Sequence, residues 1–283
     1  MTRYQFPEGF LWGAAASGPQ TEGISNKPHR SIWDSWFAEQ PERFYQQIGP
    51  QTVCDTYHQY PQDVALMKRT GFNSFRTSIQ WSRLIDDFET GAPNADAVRF
   101  YHAYLDEMIE NGIEPMINLY HFDMPEALQK QYGGFESAHV TDLFARFART
   151  AFELFGHKVK YWITFNEPIV PVEGGYLYDF HYPCKKDGRL AAQVAFNIML
   201  AHAKAVREFR ALALESEIGV VLNLGFVLIE AGYGWQVDSL SLLADAGHNL
   251  ADLAGLPGRA RLVGKVLRET DKVLPWHRVL GAA

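Results

Sequence analysis

Short apolar, β-rich runs alternate with amphipathic stretches along the first 224 residues of the chain. This alternation is typical of βα units that build a parallel sheet. Five such strands are found, whereas a complete (β/α)8 barrel needs eight. We therefore predict an α/β fold, an incomplete TIM (β/α)8 barrel of about five βα units with a helical C-terminal tail. The predicted strands cover residues 10–16, 74–80, 115–121, 161–166 and 218–224.

The segments between these strands carry apolar residues at helical spacing, together with good helix formers. Helices are predicted over residues 63–70, 97–111, 138–156 and 190–213. Several of the strands end in polar or charged residues. Because such barrels assemble their active sites from the carboxyl ends of the strands, we expect the catalytic residues there.

Charge and cysteine content narrow the classes of partner. The 33 acidic side chains outnumber the 26 basic ones, for a formal net charge of −7, which disfavours nucleic acid or an anionic membrane as a partner. The uncharged apolar run over residues 218–229 falls short of the roughly 20 residues that span a bilayer. Two cysteines, Cys54 and Cys184, cannot form a disulfide framework, and no secretory signal is visible. We expect a cytoplasmic protein with neither a membrane nor a nucleic acid as partner.

The fourth predicted strand ends in Asn166 and Glu167. The aromatic, apolar strand before them would desolvate the Glu167 carboxyl and raise its pKa, so that it can donate a proton. Glycoside cleavage needs such an acid together with a second carboxylate. An isolated Asn-Glu pair is also compatible with a helix cap or a solvated ion pair.

Four segments occur in order on consecutive strands: FPEGFLWGAAASGPQTEG, FRTSIQWSRL, LYHFDMP and TFNEP. Together they resemble glycoside hydrolase family 1 over residues 4 to about 224. Stretches such as SGPQTEG and VEGGYLYDFHYPCKKDG look like its 6-phospho-β-glucosidase and phospho-β-galactosidase branch. The resemblance implies a retaining hydrolase that acts on a small-molecule glycoside, such as a phosphorylated disaccharide, without a cofactor.

The resemblance also implies roles for individual residues. Glu167 would be the acid/base and Asn166 the partner of the sugar 2-hydroxyl. Arg76 would orient the nucleophile and lower its pKa. An alternative for Arg76 is a buried structural bridge to Glu167 itself.

Four further residues would form the sugar-binding surface by the same resemblance. Gln20 and His121 would bind hydroxyls of the glycone, and Trp81 and Phe122 would wall the site. His121 has a simpler alternative as a hydrogen-bonded histidine at a strand end.

The nucleophile of this family is the Glu of a Thr/Ser-Glu-Asn-Gly motif on the seventh strand. That four-residue motif is absent from the sequence, so we expect an acid without its nucleophile and weak or absent activity. Residues 226–232 offer a substitute, because an apolar, β-rich run there precedes Glu230 and a glycine. If this run formed a sixth strand, Glu230 would act as nucleophile opposite Glu167.

The sequence after residue 224 resembles two other kinds of protein. Residues 225–252 resemble a membrane-helix segment of cation diffusion facilitators, and His248 and Asp252 there share the spacing of two metal ligands or of a helix-stabilising pair. Residues 253–283 resemble the basic DNA-binding part of alkyltransferase-like proteins. We therefore predict a chimera of a partial barrel over residues 1–224 and these two tail segments.

Two non-catalytic alternatives stay open. The half barrel would hold a sugar without cleaving it, or it would serve only as a structural unit. In the structural alternative, a homodimer completes the barrel, because open edges of a parallel sheet favour pairing.

Overall fold

Five parallel strands form one sheet, in chain order, within the residues that the structure describes. The structure is a computed structural model, and it describes residues 6–51 and 53–221. Each strand pairs with the next, and helices lie in every crossover. The predicted α/β fold with five strands is therefore confirmed. The strands are β1 (Gly13–Ala15), β2 (Ser74–Ser78), β3 (Glu114–Tyr120), β4 (Tyr161–Asn166) and β5 (Glu217–Val221).

Helices of two kinds connect these strands. Long helices run back beside the sheet, and short ones belong to the loops that follow the carboxyl ends of the strands. A two-stranded antiparallel ribbon, Ile85–Asp87 with Ala92–Pro93, and three short 3-10 turns complete the described elements. The helices are α1 (Gly18–Thr21), α2 (Ile32–Glu39), α3 (Thr56–Arg69), α4 (Trp81–Leu84), α5 (Ala95–Glu110), α6 (Glu126–Tyr132), α7 (Ala138–Phe155), α8 (Ile169–Tyr176) and α9 (Gly188–Ala211).

The four long helices were predicted, whereas the loop helices were missed. Helix α3 begins at Thr56, well before the predicted residue 63. The predicted start was too late because Pro61 lies inside the helix and interrupts the helical sequence pattern. Helix α2 carries a signal that sequence analysis overlooked. Ser31 and Asp34 form a capping box at its amino end, with the Ser31 backbone N–H donating to Asp34 Oδ2 at 2.7 Å.

Aromatic rings fasten helix α7 to the sheet. Phe152 contacts Trp162 of β4 with 5.0 Å between ring centroids, and Phe144 contacts Phe165 of the same strand at 4.7 Å. All four side chains are buried. The strand that leads to Glu167 is thus held along its length by one helix face.

A buried ion pair joins the segment after β1 to helix α4. Arg83 Nε donates to Glu22 Oε2 at 2.6 Å, and the two side chains are 0% and 1% exposed. Such a pair is tolerated in a dry interior only when its remaining donors and acceptors are also satisfied. The other partners are the carbonyl oxygens of Gly23 and Ser25 for Arg83, and the side chains of Gln80 and Tyr101 for Glu22.

Several sequence predictions fall on residues 222–283 and lie outside the described residues. They are the substitute nucleophile Glu230, the metal pair His248 and Asp252, and the tail segments 225–252 and 253–283. Within the part that is described, no helix has the length and apolar character needed to cross a membrane. No group of three or more His, Cys, Asp or Glu residues is arranged there to hold a metal ion.

The homodimer stays a prediction. Strands β1 and β5 are the edges of the sheet within the described residues, and each has one hydrogen-bonded neighbour there. Exposed strand edges favour pairing with another chain. We expect sedimentation velocity to detect a dimer at micromolar concentration, and a strictly monomeric species would contradict the prediction.

Loss of the buried ion pair should destabilise the fold strongly. Glu22→Gln leaves the Arg83 guanidinium buried without a counter-charge, so we expect the free energy of unfolding in urea to fall by about 3 to 5 kcal/mol. Lys130→Met is the control, because it breaks an exposed helix pair with Glu126 and should cost less than about 1 kcal/mol. Equal losses in the two variants would show that the Glu22–Arg83 pair has no special weight.

Candidate active site

Glu167 lies directly after strand β4, at the carboxyl end of the sheet. Its backbone adopts a φ of 42°, in the left-handed region, and its N–H donates to the carbonyl oxygen of Val221 in β5 at 2.9 Å. Pro168 follows, and helix α8 begins at Ile169, so the chain turns sharply at the carboxyl group. A non-glycine residue held in this conformation is a frequent mark of a functional position.

Asn166 links Glu167 to Arg76 of β2. Arg76 Nη1 donates to Asn166 Oδ1 at 2.8 Å, and Asn166 Nδ2 lies 3.4 Å from Glu167 Oε2. Burial lowers the pKa of Arg76 from its ordinary value, and the nearby negative charge of Glu167 opposes this shift. No direct ion pair joins Arg76 to any carboxylate among the described residues, so the bridge to Glu167 that the sequence left open is replaced by a contact through Asn166.

His121 follows strand β3 and is buried beside Arg76. Asn118 Nδ2 lies 3.2 Å from His121 Nδ1 and also donates to the carbonyl oxygen of Tyr120 at 2.9 Å. Because an amide nitrogen is only a donor, His121 Nδ1 accepts this bond, and the proton of the neutral ring is on Nε2. Burial, and secondarily the charge of Arg76, lowers the pKa of His121 to about 4. At neutral pH the ring is therefore uncharged, with an N–H directed to a partner other than Asn118.

Asp123 holds the loop that carries His121. Its Oδ1 accepts the backbone N–H of His121 at 3.0 Å, and its Oδ2 accepts the backbone N–H of Trp81 at 3.2 Å. The carboxyl group therefore ties the end of β3 to the start of helix α4. Burial raises the pKa of Asp123 to about 6. Between His121 and Asp123, Phe122 adopts a φ of 66°, which turns the chain beside the site.

Phe122 belongs to a row of rings at the same end of the sheet. Its ring centroid lies 5.0 Å from that of His121 and 5.7 Å from that of His181. His181 in turn lies 5.1 Å from Trp33 of helix α2. These contacts join three of the strand-end loops, and the role of Phe122 as a wall of the site stays a prediction.

Gln20 lies in helix α1, which follows β1 at the carboxyl end of the sheet. Its side chain is exposed, and its Oε1 accepts a hydrogen bond from Ser17 Oγ at 2.9 Å. The amide nitrogen of Gln20 thus stays available to a ligand. Among the described residues, Gln20 has no hydrogen bond to His121 or Glu167.

The structure corrects the expectation for Trp81, which does not wall the site. Its side chain is 0% exposed and stacks on Phe147 of helix α7 at 5.4 Å, with Phe144 also in contact at 5.5 Å. The ring therefore belongs to the core between α4 and α7. Only its backbone N–H serves the site, as the partner of Asp123.

A Glu-Asn-Gly tripeptide without the preceding Thr or Ser occurs at Glu110-Asn111-Gly112, and sequence analysis passed over it. Glu110 is the last residue of helix α5, and Gly112 has a φ of 76° in the turn before strand β3. This turn lies at the amino end of β3, whereas Glu167 lies at the carboxyl end of β4. The tripeptide is therefore a helix terminus at the opposite end of the sheet, and it offers no second carboxylate to the site.

Two residues of the site were not predicted. Asp123 stands two residues after His121 and carried a signal that was available, because a buried acid in a strand-end loop needs backbone donors. His181 lies in the loop after α8 and had no distinctive sequence pattern. Its Nδ1 bonds to the Tyr182 carbonyl oxygen at 2.6 Å, and burial lowers its pKa.

Four residues of this arrangement combine one carboxyl group, one half-buried cation and oriented hydrogen-bonding groups. Arg76, Asn166, Glu167 and His121 come from three adjacent strands and are brought together at one end of the sheet. Such a set can bind a polyhydroxylated ligand and transfer a proton from Glu167. Retention of configuration needs a second carboxyl group at roughly 5 to 5.5 Å from the first.

Comparison with known proteins covers most of the described chain. The model of the family described as glycosyl hydrolase family 1 matches residues 2–228. The 6-phospho-beta-glucosidase GmuD of Bacillus subtilis (strain 168) is similar, with 50% identity over 224 residues, 78% of this chain and 48% of that protein. Beta-glucosidase A of Thermotoga maritima is 37% identical over 224 residues, 78% of this chain and 50% of that protein. The chain spans about half the length of the curated relatives that it matches.

A similar fold is also found among solved structures. The structure of beta-glucosidase from Thermotoga maritima in complex with cyclophellitol superposes with a TM-score of 0.73 and 38% identity. The match covers 77% of this chain and 50% of that one. The five parallel strands thus align with about half of the barrel of this family.

The protonation of His121 should respond to Arg76. In the folded chain we expect the His121 Cε1 proton signal to titrate near pH 4, and Arg76→Met should raise that midpoint because it removes a neighbouring cation. Since this value lies below the ordinary 6.5, neutral His121 contributes stability above pH 6.5 that is lost as the pH falls toward 4. Arg99→Met, at an exposed position of helix α5, is the control and should leave the midpoint unchanged. An identical His121 midpoint in wild type and Arg76→Met would refute the coupling.

Proposed function

Because the chain belongs to glycosyl hydrolase family 1, we propose that it supplies the acid/base half of a retaining β-glycosidase site with Glu167 as the proton donor. The observation that carries this proposal is the linked set of Arg76, Asn166 and Glu167 beside His121. Arg76 belongs to β2 and Asn166 to β4, and His121 and Glu167 directly follow β3 and β4. That placement is where barrels of this kind hold their catalytic groups.

In the proposed reaction, the protonated Glu167 donates to the glycosidic oxygen as the bond to the anomeric carbon breaks. A second carboxylate bonds to the anomeric carbon as the aglycone leaves as an alcohol. Water then attacks the anomeric carbon and displaces that carboxylate, and Glu167 accepts the proton of the attacking water. Asn166 would hold the sugar 2-hydroxyl, and the neutral ring of His121 would donate its Nε2–H to a second hydroxyl. Gln20 would bind a further hydroxyl through its free amide nitrogen, and Phe122 would pack beside the sugar.

The proposed substrates are β-glucosides or their 6-phosphates. The phosphorylated class is supported by the 50% identity to a 6-phospho-beta-glucosidase, and the plain class by the match to beta-glucosidases. A small-molecule glycoside is therefore the proposed ligand in either case.

The second carboxylate is the open element of this proposal. Arg76 would orient this carboxylate, since the half-buried positive charge of Arg76 is compensated by Glu167 only at a distance. Glu230 is the proposed substitute within this chain, and it lies outside the described residues. A carboxylate from a second copy of the chain is the alternative source.

Binding without cleavage is the second candidate function. The groups that would hold the sugar, Gln20, His121 and Asn166, do not depend on a second carboxylate. The chain would then hold a glycoside without turnover.

Hydrolysis of p-nitrophenyl β-glucoside and its 6-phosphate separates these functions. We expect any turnover by the wild type to be weak and to fall by about a hundredfold in Glu167→Gln. Because p-nitrophenolate leaves with little acid assistance, this loss arises mainly from the attacking water, which loses its base. Glu230→Gln should abolish the same turnover if Glu230 is the nucleophile. Asp106→Asn, a conservative change at an exposed carboxylate of helix α5, is the matched control and should leave turnover unchanged.

The same experiment identifies the binding alternative. If neither substrate is cleaved, calorimetry with a glucoside and with its 6-phosphate should still show binding that His121→Ala weakens. If neither compound is cleaved and neither gives heat of binding, both functions are rejected. Turnover that survives Glu167→Gln would reject the acid/base role of Glu167.

A further inference from the structure

The pairing of β4 with β5 is irregular immediately before the carboxyl group. Ile163 pairs with Gly219, whereas Asn166 pairs with Val221, so three steps along β4 match two steps along β5. One extra residue is thus accommodated in β4 over Thr164 and Phe165. Such bulges redirect the side chains that follow them, and they are common next to active sites. Here the bulge leads directly into Asn166 and Glu167.

Thr164 occupies the bulge and is fully buried. Its Oγ1 lies 3.1 Å from the carbonyl oxygen of Gly219 and 2.7 Å from Nδ1 of His202 in helix α9. The hydroxyl has one proton, which only one of these two groups can receive. All three groups are satisfied when Thr164 donates to Gly219 and His202 Nδ1–H donates to Thr164.

Burial keeps His202 in its neutral form, since it lowers the pKa of the ring. The neutral ring carries a single proton, and the bond to Thr164 assigns it to Nδ1. Helix α9 therefore forms a side-chain hydrogen bond to the bulge, at the residue where the two strands lose their register. No other use of His202 is visible among the described contacts.

We propose that His202 and Thr164 are positioning residues that hold the β4 bulge and so fix the orientation of Glu167. The chain of contacts runs from His202 to the Thr164 hydroxyl, from that hydroxyl to Gly219 of β5, and along β5 to Val221, which accepts the N–H of Glu167. Loss of the Thr164 hydroxyl would free β4 to pair regularly with β5. The left-handed conformation of Glu167 would then lose its support. The consequence for catalysis rests on the proposed function, whereas the positioning itself does not.

Native-state hydrogen exchange of the Glu167 amide measures this positioning directly. Thr164→Val removes the hydroxyl at nearly constant shape, and His202→Leu removes the donor to it. We expect each to accelerate exchange at Glu167 by about tenfold relative to the amide of Ile163, as for the loss of one buried hydrogen bond. Thr164→Ser keeps the hydroxyl, and His202→Asn keeps an N–H near the position of Nδ1, so both should stay close to the wild type.

Asn197→Leu provides the matched control on the same helix. Asn197 is buried in α9 and donates to the carbonyl oxygen of Phe135 at 2.7 Å, away from the bulge. Its loss should lower global stability without selective exchange at Glu167. If Thr164→Val fails to fold, His202→Leu carries the same test, because it leaves the hydroxyl in place.

The possible outcomes separate this inference from the proposed function. Unchanged exchange at Glu167 in Thr164→Val and His202→Leu, or an equal effect in Asn197→Leu, would overturn the positioning role. If the wild type hydrolyses a glucoside, we expect kcat to fall in the two disruptive variants with KM little changed. If the wild type shows neither turnover nor binding, the proposed function fails, and the exchange data still decide the positioning role.

Discussion

Parallel pairing of adjacent strands is the constraint on which the candidate site depends. Arg76, His121 and Glu167 are far apart in sequence, and they meet because β2, β3 and β4 run in one direction and terminate at the same end of the sheet. Antiparallel pairing would send alternate strand ends to opposite ends of the sheet. Each crossover must therefore return the chain to the amino end of the sheet, which the long helices do. The aromatic packing of α7 and the buried Glu22–Arg83 pair stabilise this arrangement without touching the proposed ligand.

Much of the fold was predictable because its signals are local. The strands alternate with helices in the sequence, and their predicted positions differ from the observed ones by only a few residues. The loop helices α2, α6 and α8 were missed because they are short and depend on neighbouring loops. The start of α3 was misplaced because Pro61 obscures the helical pattern. The tripeptide Glu110-Asn111-Gly112 lacks the preceding Thr or Ser, and its position at a helix end is visible only in the fold.

The roles of the site residues stay predictions, and their surroundings depend on contacts that no local pattern specifies. Glu167, Asn166 and Arg76 lie together at one end of the sheet, whereas Trp81 was assigned to the site although it is a core residue. Its side chain direction depends on the turn after β2, which no local pattern specifies. Asp123 and His202 act through contacts with residues that are distant in sequence. Burial then sets the charge states at the candidate site, because it lowers the pKa of His121, which is neutral, and raises the pKa of Asp123.

The left-handed backbone of Glu167 sets local strain against the proposed chemistry at a single residue. Glycine adopts this conformation without the steric penalty that a side chain pays, which amounts to about 1 kcal/mol. The carboxyl group is therefore held against the conformational preference of its own backbone. Glycine at position 167 would relieve the strain but would supply no proton donor, so the demands of folding and of the proposed chemistry conflict at this residue.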